Sequence, residues 1–440
     1  MKRITIAATL MLALTGCGIF NGGGDKGPKT PLLGERVPIL TYEGGAEVDP
    51  GLAAAPVGVP AAEVNSSWAQ TGGNERKEMG HLALGTALSR AWTASIAGGS
   101  KKTRLAAGPV VANDTVYVID TAAVVHAFAA ANGSERWRRS LGVKGDGEDS
   151  AFGGGVSFEN GKLYATTGVG DVAALDAATG NVLWKVRPSG PMRGAPTVAN
   201  GQVYAITQDN QIYALNAEDG KTIWNEAGTL ENSGIFGVAA PSVAQGTVVA
   251  GFSSGELTAY RYENGRAVWQ DALSRTSMST AVASLSDIDA DPVISDGKVY
   301  AIGQGGRMVA LDIISGQRLW ELNIGGIATP WVAGDWLFVV TDQAQLLCIA
   351  RASGKIRWIT QLPQWRKPKK KDKLISWIGP VLAGDRLLLA NTRGGLLNVS
   401  YEDGKIGSGT SVGNAIYIPP VVANKTLFIL DADGKLSAWR

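Results

Sequence analysis

The chain has 440 residues, 45% of them apolar and 18% charged, so it can bury a large core and is not globally disordered. Lys and Arg number 41 against 39 Asp and Glu, a balance without the basic footprint that nucleic acid requires. Two His and two Cys leave little material for metal or nucleophile chemistry, while 58 Gly and 13 Trp are unusually many.

The first residues read as a secretory signal. Lys2 and Arg3 precede an apolar run from Ile4 to Leu14 and then small residues, a stretch too short to span a bilayer. Leu14-Thr15-Gly16-Cys17 resembles the lipobox of bacterial lipoproteins. The resemblance implies removal of residues 1–16 and acylation of Cys17, palmitate included, with each buried CH₂ contributing about 0.8 kcal/mol to anchoring. An ordinary signal peptide with an incidental Cys is the alternative. Gly18 after the Cys resembles lipoproteins destined for the outer membrane. Residues 17–65 are rich in Gly, Pro and Ala without a sustained period, which predicts a flexible tether carrying the lipidated Cys. With Cys17 acylated, Cys348 in "LLCIA" has no intramolecular partner, and its apolar neighbours predict a buried, inert thiol.

Residues 66–440 are expected to form one domain. "LSRAWTASI", Leu88 to Ile96, reads as an isolated strand, and beyond it a pattern recurs. "GPVVANDTVYVIDTAAVVHAFAAANGSERW" (108–137), "APTVANGQVYAITQDNQIYALNAEDGKTIW" (195–224) and "DPVISDGKVYAIGQGGRMVALDIISGQRLW" (291–320) are three copies. A fourth runs from Thr329 to Trp358, and weaker ones start at Gly154, Ala240, Gly379 and Pro419. Pro109 and Pro420 mark the first and eighth copies, so the spacing is about 44 residues with four short β-runs each, the signature of a propeller blade. The expected fold is all-β, an eight-bladed β-propeller of four-stranded antiparallel blades. In five of the eight copies an NG, DG or GD dipeptide supplies the first hairpin turn. Trp137, Trp184, Trp224, Trp269, Trp320 and Trp358 lie on outer strands and are expected to wedge between neighbouring blades. The last copy ends at Arg440 without a fourth strand, and Leu88–Ile96 is expected to fill that place, closing the ring and removing its edges.

These blades resemble the pyrroloquinoline-quinone-type repeats of bacterial propellers, over roughly residues 66–440. Two families share them: quinoprotein dehydrogenases and the BamB family of outer-membrane assembly lipoproteins. The dehydrogenases carry a vicinal Cys-Cys pair and a calcium ion, and no Cys-Cys occurs in this chain. His126, in "VVHAF", falls within a strand pattern and reads as a core or edge residue rather than a base. No enzyme, cofactor, catalytic residue or metal site is expected. A quinone-dependent periplasmic dehydrogenase and a glycan-binding propeller lipoprotein remain the alternatives.

The BamB resemblance is specific in two connections between blades, "VRPSGPMRGAP" (186–196) and "SLSDIDADP" (284–292), which fall on one rim. Met192-Arg193-Gly194 matches the family's apolar-Arg-Gly segment before its third blade. Ser286-Asp287-Ile288-Asp289 matches its Ser-Asp-(Val/Ile)-Asp segment before the fifth. The chain departs from the family in Gly190-Pro191-Met192, where leucines are usual. The resemblance implies that Met192, Arg193, Asp287 and Asp289 contact the periplasmic POTRA domains of a BamA-like barrel-inserting subunit. It also implies other assembly-machine lipoproteins as partners, unfolded outer-membrane proteins as clients, a lipid anchor in the outer membrane, and no nucleic acid. The alternative for Arg193 and Asp289 is an intramolecular surface salt bridge. In the same register stand Val238, Ile327, Trp377 and Tyr417, each read either as contact or as inward packing. Taken as a calcium loop starting at Asp287, the aspartate series has Pro292 where Gly is needed and Lys298 where a bidentate Glu is needed; Asp291 is expected to serve its blade. "WRKPKKKDK" (365–373) is a basic run with three readings: a solvated loop, a contact for an acidic partner, or a contact for anionic headgroups.

Overall fold

A computed structural model describes residues 46–100, 103–142, 153–230, 239–273, 286–304 and 306–440. Among them, strands form eight four-stranded antiparallel sheets and one two-stranded hairpin. Seven blades are built from four consecutive strands. The eighth takes three from the C-terminus and its outer strand, Arg90–Ser95, from the N-terminal side, so the expected closure holds.

Blade three shows why the sequence folds this way. Its strands are Thr197–Ala199, Gln202–Ile206, Gln211–Asn216 and Thr222–Ala227, innermost first. Asn200 and Gly201 both have positive φ (55° and 71°), and Ala199 pairs directly with Gln202, which makes a two-residue type I′ hairpin. The three inner strands are buried on nearly every residue, because neighbouring blades cover both of their faces. The outer strand alternates and turns only Trp224 fully inward.

The tryptophans act as the sequence predicts. Each outer-strand indole N–H donates to a carbonyl in the third-to-fourth-strand turn of the next blade: Trp137 to Ala177, Trp184 to Ala217, Trp224 to Tyr262, Trp269 to Ile313, Trp320 to Arg351, and Trp358 to Tyr401. The ring lies flat over a glycine of that turn. At Gly354 (φ 72°) a methyl group would come within 2.8 Å of the Trp320 ring. Trp92 repeats the device at the closure, donating to Ala130 of blade one over Gly133. The blade-seven outer strand, Ile406–Ser411, carries no Trp, so the seam with blade eight lacks this peg.

One element has no forerunner in the repeat. Residues 65–82 circle inside the ring and meet the inner strand of each blade in turn. Asn65 O accepts from the Asn424 N–H of blade eight, and Trp68 exchanges two 2.8 Å backbone bonds with Val111 of blade one. Ala69 O accepts from Phe158 of blade two, and the Gln70 amide brackets Val198 of blade three on both sides. Glu75 O and Arg76 O accept from Val243 and Ile294 of blades four and five. Gly80 O takes the Trp331 indole of blade six, and the Leu82 N–H donates to Leu382 O of blade seven. Each inner strand is thereby tied to the segment by at least one hydrogen bond from within.

The stretch expected as tether also contains docked chain. Val48 pairs with Ile356 on the outer strand of blade six, Asp49 reaches Lys355 at 3.0 Å, and Ala55 O accepts from the Arg357 guanidinium at 2.7 Å. Val57 is buried there. Residues 1–45, Cys17 among them, lie outside the described residues.

Candidate docking face

In every blade the outer-to-inner connection and the turn between the second and third strands fall on one face, here called the connection face. The segment after strand Val182–Val186 begins with an ion cluster on it. Arg187 meets the buried Asp171 carboxylate through Nε at 2.8 Å and Nη2 at 3.1 Å, and Lys185 Nζ stands at 3.2 Å. Burial alone would raise the Asp171 carboxyl, but the hydrogen bonds from Arg187 and Lys185 outweigh it and hold the group below the usual range.

The chain then drops between the turns of blades two and three. The Met192 N–H donates to Thr167 O, the Arg193 N–H to Ile206 O, and the Gln208 N–H to Pro191 O. Pro191 stays exposed, while Met192 is buried against Tyr164, Val172, Val198 and Val203. Arg193 is directed inward. Its Nη2 lies 2.7 Å from Asp287 Oδ1 and 3.4 Å from Asp289 Oδ1, with the Ile288 carbonyl also at 3.4 Å.

The connection to blade five is held equally firmly. Ile288 N–H donates to Phe252 O, Asp287 O accepts from the Gln304 N–H, and the Ile288 side chain fills the space above Gly251. The exposed contact rim expected of Met192, Arg193, Asp287 and Asp289 is therefore corrected. The Arg193 and Asp287 side chains are each 1% exposed and that of Asp289 9%. The physical reason is position: both connections curl over the inner strands toward the axis, where opposite charges two blades apart come within bonding distance. Arg193 bridges to both Asp287 and Asp289 within the chain, and the bridge is buried rather than the surface pair weighed for Arg193 and Asp289.

Burial is the chief influence on these carboxyls. It raises Asp287 against the opposing pull of Arg193. It pushes Asp289 up to about 7, with the Asp287 charge adding to the shift. One guanidinium thus faces two carboxyls, both held above the usual carboxylate range. Deeper along the axis Asp291 is buried, accepts the Ala240 N–H at 2.7 Å, and has the buried Lys77 as its charge partner. Desolvation lowers the Lys77 ammonium to about 8, and its Nζ donates to Thr197 Oγ1. Asp291 serves the fold, as its place at the start of an inner strand predicts.

The remaining register positions divide. Ile327 and Tyr417 are half exposed, and the Arg104 guanidinium stands 5.5 Å from the Tyr417 ring. Trp377 packs inward, its indole N–H donating to Pro363 O. Val238 lies outside the described residues. Both histidines are buried. His81 Nδ1 faces Pro60 O and its Nε2 accepts the Asp385 N–H, while His126 Nε2 meets Asp120 at 2.9 Å. Among the described residues no group of three or more His, Cys, Asp or Glu is placed to hold a metal ion.

Comparison with known proteins fixes the family. The family model described as outer membrane protein assembly factor BamB matches residues 81–148 and 121–360. The chain is 30% identical to outer membrane protein assembly factor BamB of Salmonella typhimurium over 352 residues, 79% of this chain and 87% of that protein. It is 31% identical to its Escherichia coli counterpart over 349 residues, 78% and 86%. The chain belongs to the BamB family. The crystal structure of BamB from Moraxella catarrhalis shares the BamB-family fold at a TM-score of 0.67, with 20% identity, over 80% of this chain and 100% of that one. The quinohemoprotein alcohol dehydrogenase of Comamonas testosteroni superposes at 0.65 with 15% identity, over 89% and 82%, a likeness of fold alone. In this BamB-family chain the two matched segments are joined to each other by the Arg193 cluster.

Proposed function

We propose that the chain is a non-enzymatic scaffold of the outer-membrane β-barrel assembly machinery. It is a lipoprotein, anchored through Cys17 at the periplasmic face of the outer membrane, and it assists the folding and insertion of β-barrel clients. The observation that carries this reading is the kinship with assembly factors over more than three quarters of the chain. The missing Cys-Cys pair and the two histidines held in internal hydrogen bonds support a binding rather than a catalytic role.

Docking on the POTRA domains of the barrel-inserting subunit uses the connection face. Met192, Arg193, Asp287 and Asp289 act there as positioning residues. The ion cluster locks segments 186–196 and 286–292 in one relative placement, and the exposed groups around it, Pro191 first, meet the partner. A rigid, preformed surface lowers the ordering cost of association. The test is capture of partners from envelope extract with the wild-type chain and with Pro191→Asp. The barrel-inserting subunit should co-purify with the wild type and be depleted with the variant at unchanged melting temperature. Its absence from the wild-type capture would refute the proposal.

A further inference from the structure

The basic run of 365–373 is an ordered element. Trp365–Lys367 and Asp372–Leu374 pair as a two-stranded antiparallel hairpin, capped by a single 3₁₀ turn at Pro368–Lys370. Nine consecutive residues, Arg366 to Leu374, are exposed. They include six cations and one carboxylate, Asp372, which stands 3.9 Å from Lys367. Arg366, Lys369, Lys370, Lys371 and Lys373 make no salt bridge among the described residues. Leu374 at the base is half exposed. A fold that extends so many like charges on one hairpin does so at an electrostatic cost, which an anionic surface would offset.

We infer that this hairpin binds the phosphate headgroups of anionic phospholipid and so sets the orientation of the propeller on its membrane. The inference rests on the lipid-anchored reading given above. The chemistry of the cations favours a bilayer over an acidic protein. Five of the six are Lys, mobile point charges without the planar fork that selects a fixed carboxylate. Such an array suits headgroups that can rearrange laterally, and stable membrane attachment takes a second signal beside an acyl chain.

The test uses the mature chain, residues 17–440, with Cys17→Ser, so that neither an acyl chain nor the apolar run of 4–14 contributes, in flotation with vesicles of phosphatidylcholine with or without phosphatidylglycerol. The wild-type hairpin should float with the phosphatidylglycerol vesicles, lose them as salt is raised, and ignore pure phosphatidylcholine. Replacing Lys369, Lys370, Lys371 and Lys373 by Gln should weaken binding on the order of several hundredfold. These side chains are exposed, so the melting temperature should not move. Equal flotation of the variant, or of the wild type at high salt, would overturn the inference. So would displacement of the vesicles by inorganic phosphate at matched ionic strength, which marks a free-phosphate site. Tighter binding to polyglutamate than to vesicles would assign the hairpin to an acidic protein instead and also overturn it. Capture of the barrel-inserting subunit by the same variant should be retained. Acylation of Cys17, read as the mass of the mature chain, fails or holds independently.

Discussion

Replacing Arg193 by Leu should cost stability in a way that depends on pH. The substitution leaves Asp287 and Asp289 buried without their counter-charge, and breaking a buried pair typically costs about 3–5 kcal/mol. The folded variant can escape two unpaired carboxylates by keeping both carboxyls protonated. Against an unfolded value of 3.8, holding that extra proton costs about 1.4 kcal/mol for each pH unit above it. The deficit relative to wild type should therefore grow between pH 5.5 and pH 7.5, by at most about 1.4 kcal/mol per pH unit, toward about 3–5 kcal/mol. Urea denaturation followed by tryptophan fluorescence across that range measures it. A deficit that is the same at both ends, or under about 1 kcal/mol at pH 7.5, would show that the cluster is solvated and would refute the reasoning. The same burial makes Arg193→Glu unsuitable as a docking probe, because it brings a third carboxylate into the cluster.

Asp289→Asn isolates the other half of the cluster. The folded wild type holds a proton on Asp289 that the unfolded chain has already released, so its contribution to stability is lost as pH rises from 3.8 through about 7. The variant should lack that decline, and an unchanged pH profile would assign it to another group. Gly354→Ala and Gly201→Ala share a φ near 72°, but only the first drives a methyl into a Trp ring; it should cost clearly more, by roughly 1–3 kcal/mol in thermal or urea unfolding. Trp92→Ala should destabilise by about 3–5 kcal/mol and open residues 88–96 to limited proteolysis. Cys348 is buried and desolvation pushes its thiol above the usual range, so with Cys17 substituted a thiol reagent should label the chain only once it unfolds.

The blades were legible because they repeat the same physical problem: a two-residue turn, three inner strands buried on both faces, and, in every blade but the seventh, an indole that must find a glycine next door. Periodicity exposes such features, and the closing strand followed from counting strands in the last copy. The register of the rim was legible too, since Arg193 and Asp289 do stand on one face. Their direction was not, because it depends on how far the connections lean over the axis, and sequence spacing carries no measure of that. Residues 65–82 escaped notice for a different reason. The segment meets the blades one after another at irregular spacing, so it has no period, and its buried Gln70, Lys77 and His81 give it the composition of a solvated loop. It is held by scattered backbone carbonyls together with two isolated apolar anchors, Trp68 and Leu82.

That inner ring bears on how the molecule comes together. Its partners lie between 43 residues downstream, at Val111, and 359, at Asn424. A ribosome delivers this segment before any blade exists, yet its last hydrogen bond needs the final one. Contacts of such sequence separation are slow to form, since the loop entropy must be lost before the bond is gained. The earliest part of the domain to be made is thus the last to be placed. Until the C-terminal blade arrives, the nascent propeller is an open row of blades whose inner edges are all available to other strands.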